Sequence, residues 1–390
     1  MSLVEIHMVV NYPASNLNRD DTGAPKTMMF NGVPRVRLSS QCLKRAWRLS
    51  GPFMSAFKAD TLRTRYMPQM VANELRSRGC DAEMVAAIGS LLGTDSSADE
   101  IAHGEYRSTN IGFYSSDEIK QIADAAERVY NDPANKTCFE NGGNKKKFAQ
   151  ALANERKKCA AENQVGLTVD QALFGRMVTD GTADEIDAAM QVAHAMSVNA
   201  AHIEDDYFTA VDDFLDGKFM PDHAVTAHLN SAEFDSACFY IHVVIDMDQL
   251  AVNLKNNPHA NEYMKHAIST LIRTMAFAAP SGKQNTFEAH ALPIAIYVEQ
   301  KNDHIPVNLC NAFARPINSN VAAASTRALA DEITRVSSVY DIPTAHRVWL
   351  NTHPAKTDDE YGAAFAGPAL DDVVRVTSMN DLCAEVDSWE

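Results

Sequence analysis

No stretch of the chain approaches the roughly 18 unbroken apolar residues that a membrane helix needs, so a helical membrane span is not expected. The first ten residues, MSLVEIHMVV, lack a basic segment and run into the polar NYPASN, so they read as a first strand and not as a secretory signal. The seven cysteines are odd in number and widely spaced, with no CxxC pair, which argues against a disulfide framework and a zinc knuckle. A reducing cytoplasm suits them. HExxH, GxSxG and GxGxxG are all absent, and the thirteen histidines do not pair at ligand spacing. PSGKQ (Pro280–Gln284) lacks the Ser/Thr after lysine and the glycine five positions before Gly282 that a phosphate-cradling Walker loop requires. His202 with Glu204, Asp205 and Asp206 outlines a metal site, but a solvated acidic turn explains it better, since nothing fixes the geometry a metal demands. No cofactor is expected.

Basic residues are scarce too: 35 Lys and Arg face 51 Asp and Glu, a formal charge of −16. A uniformly negative surface repels phosphate. The charge is nevertheless segregated. Between Thr22 and Ala59 lie seven bases (Lys26, Arg35, Arg37, Lys44, Arg45, Arg48, Lys58) and no acid, whereas Asn351 to Glu390 holds nine acids against Lys356 and Arg375. An acidic remainder would suppress indiscriminate polyanion binding and leave one defined track.

Val4, Ile6, Met8 and Val10 alternate with Glu5, His7 and Asn11, the period of a half-buried strand. A second short strand is expected at Pro34–Ser39. From Pro52 to about Ala200 the pattern is mostly helical, broken by NDPANKTC and NGGN, and includes a helix from Asp184 to Val198 with Ile186, Met190 and Ala193 on one face. Strands return at Phe239–Met247 and Pro293–Gln300, flanking a helix at Asn261–Ala278 ridged by Ala267, Leu271 and Met275. This succession predicts an α+β fold, a split βαβ sheet of ferredoxin-like type with helices on one face.

In VRLSSQCLKRAWRLSG (Val36–Gly51), Ser39 or Ser40 can cap a helix. At about 100° per residue, Leu43 and Trp47 centre a buried stripe with Cys42, Ala46 and Leu49, while Gln41, Lys44, Arg45 and Arg48 share the outward face. The helix N-terminus adds free N–H groups suited to phosphate. An ordinary solvated helix face would give the same pattern. Three details favour a phosphate track: no acid stands at i+3 or i+4 to neutralise the bases, Arg35 and Arg37 adjoin, and Asn18, Arg19 and Lys26 lie in the neighbouring loop.

SxxLNRDD (Ser15–Asp21), RVRLSSQxLKRA (Arg35–Ala46), FGRM (Phe174–Met177), DYFTAVDD (Asp206–Asp213) and PSGKQNTF (Pro280–Phe287) occur in that order. Together they resemble the CasC family, the crRNA-binding backbone subunit of the type I-E CRISPR Cascade complex, over the chain from its first strand to about Phe313. The resemblance implies a hand-shaped, non-catalytic subunit. An RRM-like palm (1–51 and 237–313) would carry helical fingers (52–199) and a thumb hairpin (200–236), with an acidic C-terminal extension (314–390) that the motifs do not cover. Copies would stack head to tail along the guide, a heterologous contact that builds a helix. The implied partners are the crRNA, the target DNA paired to it, further copies of the chain and other Cascade subunits, with no membrane and a cytoplasmic setting. Carried over by motif, Arg19, Lys26, Ser39, Ser40, Gln41, Lys44, Arg45 and Arg48, with Arg35 and Arg37, would hold the RNA backbone. Lys283 and Gln284 would add a further RNA or target contact. Met177, Phe208 and Val211 would wedge at a displaced nucleotide.

That division suits a guide whose bases must stay readable, because phosphate and 2′-hydroxyl contacts carry no sequence information. Apolar wedges interrupt the stack without reading a base. Core roles for Met177 and Phe208 remain open. The lysine-rich Asn144–Lys158 segment is best read as a solvated helix, a DNA-facing surface being its alternative. Asp20 and Asp21 raise an enzymatic alternative, a loop-aspartate metal-dependent RNase as in related CRISPR effector backbones, against salt bridging within the loop. An RNA-independent scaffold is a third possibility, which leaves the acid-free stretch without a role.

Overall fold

The computed structural model describes residues 2–140, 143–162, 165–177, 184–211, 226–352 and 367–389. They fall into two compact units: Met1–Phe53, Gln191–Asp246 and His266–Glu390 form one, Met54–Met190 and Met247–Lys265 the other. Among the described residues no helix is long and apolar enough to cross a membrane.

In chain order, β1 (Leu3–Asn11), β2 (Thr27–Phe30) and β3 (Val33–Leu38) precede helix α1 (Ser40–Arg48). The second unit contributes β4 (Leu62–Thr64) and β5 (Gly112–Tyr114), which pair with each other. β6 (Met190–Val192), β7 (Ala195–Ser197), β8 (Glu204–Val211), β9 (Thr226–Phe234) and β10 (Cys238–Asp246) follow. β11 (Pro293–Lys301), β12 (Thr344–Asn351) and β13 (Val373–Val376) complete the set.

The first unit is built on one mixed sheet, ordered β13-β12-β11-β1-β10-β7-β3-β2, with β6 also paired to β10. β1 lies between β10 and β11, antiparallel to both, and β13 alone among these pairs runs parallel to its neighbour β12. The C-terminal residues 314–390 therefore supply two strands of this sheet and the helices Val321–Tyr340 and Met379–Asp387.

β1 is not half-buried as its alternation suggests: Glu5 and His7 are both completely shielded from solvent. Their face of the sheet is covered by the helix Val321–Tyr340 and the 3₁₀ turn Leu309–Phe313, where Leu329, Ile333 and Phe313 pack on Val9, Tyr240, Tyr297 and Trp349. Burial of so many polar groups demands partners. Glu5 accepts from Lys301 Nζ at 2.5 Å, His242 Nε2 at 2.8 Å and the Val307 amide at 3.0 Å. His7 Nδ1 lies 2.8 Å from the Tyr240 hydroxyl, which also accepts from the Leu309 amide at 3.1 Å. Desolvation, aided by His242 and Lys301, holds the His7 pKa well below the ordinary histidine value, and burial raises that of Glu299. Glu5, His7 and His242 are a metal-binding donor set by residue type. Here Lys301, His242 and the Val307 amide already take the carboxylate's lone pairs, so Glu5 is compensated within the core, while His7 Nε2 is buried without a hydrogen-bond partner.

The expected helix over Asp184–Val198 is instead β6, β7 and connecting chain. Its alanines and methionines satisfy either period, and the gap between β10 and β3 decides. β7 fills that gap, pairing Met196 with both Tyr240 and Arg37.

The second unit is largely helical. Helices Met67–Ser77, Ala82–Leu92, Ser116–Asn131 and Lys145–Glu162 enclose a core that includes Val71, Leu75, Ile88, Ile122, Val129, Phe148 and Leu152. Ser115 and Glu118 form a reciprocal capping box that fixes the start of the third of these.

Candidate nucleic-acid interface

Ser39 caps α1: extended at its own backbone, it accepts from the Cys42 amide at 3.3 Å. Leu43 and Trp47 bury one face, with Trp47 only 1 % exposed. That burial turns the opposite face outward. Gln41 and Arg45 are exposed there, and Lys44 and Arg48 are half-buried. The capping hydroxyl of Ser39 is engaged, and Ser39 and Ser40 are both buried, so neither is an open phosphate contact.

The loop before β2 is tied to this helix through Asn18, whose Oδ1 accepts from the Ser39 amide at 2.8 Å and whose carbonyl accepts from the Lys26 amide at 2.9 Å. Arg19 is exposed and bridges to Pro25 through the backbone. Lys26 is half-buried and its carbonyl accepts from the Arg37 amide. The loop, α1 and the Pro280–Gly282 turn enclose an open groove of about 570 Å³ that brings Arg19 and Arg45 together with Asn18 and Asp21. A Cβ on Gly282 would stand 2.4 Å from the Leu17 carbonyl oxygen, so only glycine permits this approach of two backbones.

Asp20 also lines the groove, with one carboxylate oxygen bound into its own loop. Its Oδ1 accepts from the Thr22 hydroxyl at 2.7 Å and from the amides of Thr22, Gly23 and Ala24 at 2.9 to 3.1 Å. Those bonds, the Thr22 hydroxyl foremost, hold its pKa below the usual aspartate value.

Arg35 requires correction. Read as an RNA contact, it is fully buried, its guanidinium donating to the carbonyls of Ser197 at 3.0 Å, Val198 at 2.6 Å and Phe313 at 2.8 Å. It gathers carbonyls from the end of β7 and from the Leu309–Phe313 turn, a task that suits the guanidinium's fan of donors. Arg37 is half-buried, donating to the Thr27 carbonyl at 3.2 Å and lying 3.0 Å from His194 Nδ1. Gln284 braces its own loop, its amide donating to the carbonyls of Pro280 and Ala289, while Lys283 is half-buried with a left-handed backbone.

Met177 is 79 % exposed, against a core role. Its neighbour Arg176 is the anchor: buried, it ion-pairs with Glu118 at 2.7 Å and donates to the carbonyls of Phe113 and Asp184. Phe208 on β8 is 43 % exposed, with Tyr207 beside it at 64 %. The side chain of Val211 lies outside the described residues. Met177 and Phe208 belong to different units. In the lysine-rich helix Lys145–Glu162, Lys158 pairs with Glu155 at 2.8 Å and Lys145 donates to the Gly93 carbonyl, which absorbs part of its charge. His202 is exposed, 3.7 Å from Glu204.

No curated protein matches the sequence. Among solved structures, the chain is similar to one from a "CRISPR RNA-guided surveillance complex, pre-nicking", with 23% identity and a TM-score of 0.76 over 98% of this chain and 99% of that one. A chain from a "CRISPR RNA-guided surveillance complex" matches with 20% identity and a TM-score of 0.66 over the same shares. At such identities the likeness is one of fold. The family model described as CT1975-like protein matches residues 4–376, nearly the whole length, and the chain belongs to that family.

Proposed function

We propose that this chain is a non-catalytic crRNA-binding backbone subunit of a type I-E Cascade surveillance complex. The carrying observation is the acid-free outward face of α1 beside a groove that also holds Arg19. Membership of the CT1975-like family and the likeness to chains of surveillance complexes support it. On this proposal the first unit acts as an RRM-like palm with the β8–β9 hairpin as thumb, and the second unit as fingers. Arg19, Arg45, Gln41, Lys44 and Arg48 grip phosphate and sugar; Met177 and Phe208 wedge between guide nucleotides. Copies stack head to tail in the cytoplasm, alongside other Cascade subunits, and the free base edges pair with target DNA.

What supports the binding reading over the nuclease alternative at Asp20 is that its Oδ1 accepts four hydrogen bonds within its loop. Filter binding of unrelated single-stranded RNAs across a salt series tests the proposal. Arg45→Ala and Lys44→Ala should weaken all RNAs alike, each lowering the log–log salt slope by about 0.7. Loss confined to one RNA sequence refutes backbone gripping. RNA length in the same mixtures with Mg²⁺ should stay constant; cleavage abolished by Asp20→Ala or Asp21→Ala establishes the nuclease.

A further inference from the structure

We propose that Asn16 is a positioning residue that couples the 17–26 loop of the groove to the β8–β9 hairpin. The inference rests on the RNA-binding reading for its purpose, though not for its geometry. Asn16 is 2 % exposed, and its Nδ2 donates in two directions: to the Gly23 carbonyl at 2.9 Å within the loop, and to the Glu233 carbonyl at 2.7 Å on β9. Both hydrogens of the amide are thereby used. Next to it, Ser15 and Asp235 exchange backbone hydrogen bonds of 2.8 and 3.0 Å, stitching the loop's start to the hairpin's exit.

The Pro280–Phe287 segment joins the same point. Gly282 lies against the Asn16 and Leu17 carbonyls, and the Phe287 ring stands 5.5 Å from that of Phe234 on β9. Three segments distant in sequence thus meet in one joint, which gives PSGKQNTF a role besides any RNA contact.

The hairpin needs such a joint. β8 and β9 pair only with each other among the described strands, and a lone two-stranded ribbon is marginal in water. What directs Phe208 relative to the groove is therefore the base of the ribbon. An amide satisfying carbonyls on both sides fixes that direction, and its removal leaves two acceptors without their donor.

Two measurements test the coupling. In the RNA-free protein, hydrogen exchange of Asn16→Ala should rise at least fivefold in β8–β9 and in the 20–26 loop together, with β1 unchanged. In the RNA-bound protein, 2-aminopurine placed through a single-stranded RNA should lose at least half its fluorescence rise, while affinity stays within about threefold, because phosphate contacts persist. Phe287→Ala, which leaves Asn16 in place, should give the same pattern in smaller measure and decides the matter if Asn16→Ala does not fold. Unchanged hairpin exchange, or fluorescence that falls only in step with affinity, overturns the proposal. Failure of the wild type to bind RNA refutes the functional reading instead, and exchange still decides the joint.

Discussion

At the scale of single residues, the bases of one acid-free stretch have opposite fates. Arg35 points into the unit and donates to four carbonyls, while Arg45 lines the groove. Arg35→Ala should therefore cost about 3 kcal/mol or more in urea unfolding, since buried carbonyls lose their donors, whereas Arg45→Ala should leave the midpoint within about 0.5 kcal/mol. Equal effects on stability would contradict the assignment. His7 supplies a second contrast. Its native pKa lies well below the ordinary histidine value of 6.5, so below that pH the unfolded chain takes up a proton that the native one refuses. Stability from this group is thus complete above about pH 6.5 and falls as pH drops, by about 1.4 kcal/mol per pH unit until the native pKa is reached. His7→Gln should lose less stability than the wild type between pH 7 and pH 5; parallel losses in the two proteins would assign the acid sensitivity elsewhere.

At the scale of elements, legibility followed locality. A cap at Ser39 or Ser40, most of the Leu43–Trp47 stripe, though not its Leu49, and a strand at Pro293–Gln300 are visible in the sequence because capping and periodicity are properties of neighbours in the chain. Asp184–Val198 departs from its helical pattern because a gap in the sheet, made by strands far away in sequence, selects strand over helix. Glu5 and His7 looked solvent-facing for a similar reason: the helix that covers them begins at Val321. Arg35 and Arg45 could not be told apart by charge, since only the strand's packing shows that position 35 faces inward. Gly282 was part of a recognised motif, yet its cause lies in Leu17. Gly282→Ala should push the Pro280–Gln284 turn off the 16–17 backbone, lower the melting temperature by several degrees and weaken RNA binding through loss of the groove. Unaltered melting and binding would show that the turn yields without cost.

At the scale of the whole molecule, a chain of charge −16 can hold a polyanion only if its few exposed bases are concentrated and its acids kept apart from them. The fold goes part of the way by setting α1, the 17–26 loop and the 280–282 turn around one groove, where Arg19 and Arg45 stand beside Asp21 and an Asp20 whose Oδ1 is bound within its own loop. Ultraviolet cross-linking of the wild-type protein to a guide-length RNA at low ionic strength, with the attached peptides identified by mass spectrometry, tests this most directly. Cross-links clustered in residues 17–26 and 41–48 are the predicted result. RNA that is not retained, or cross-links that avoid both segments, would contradict it.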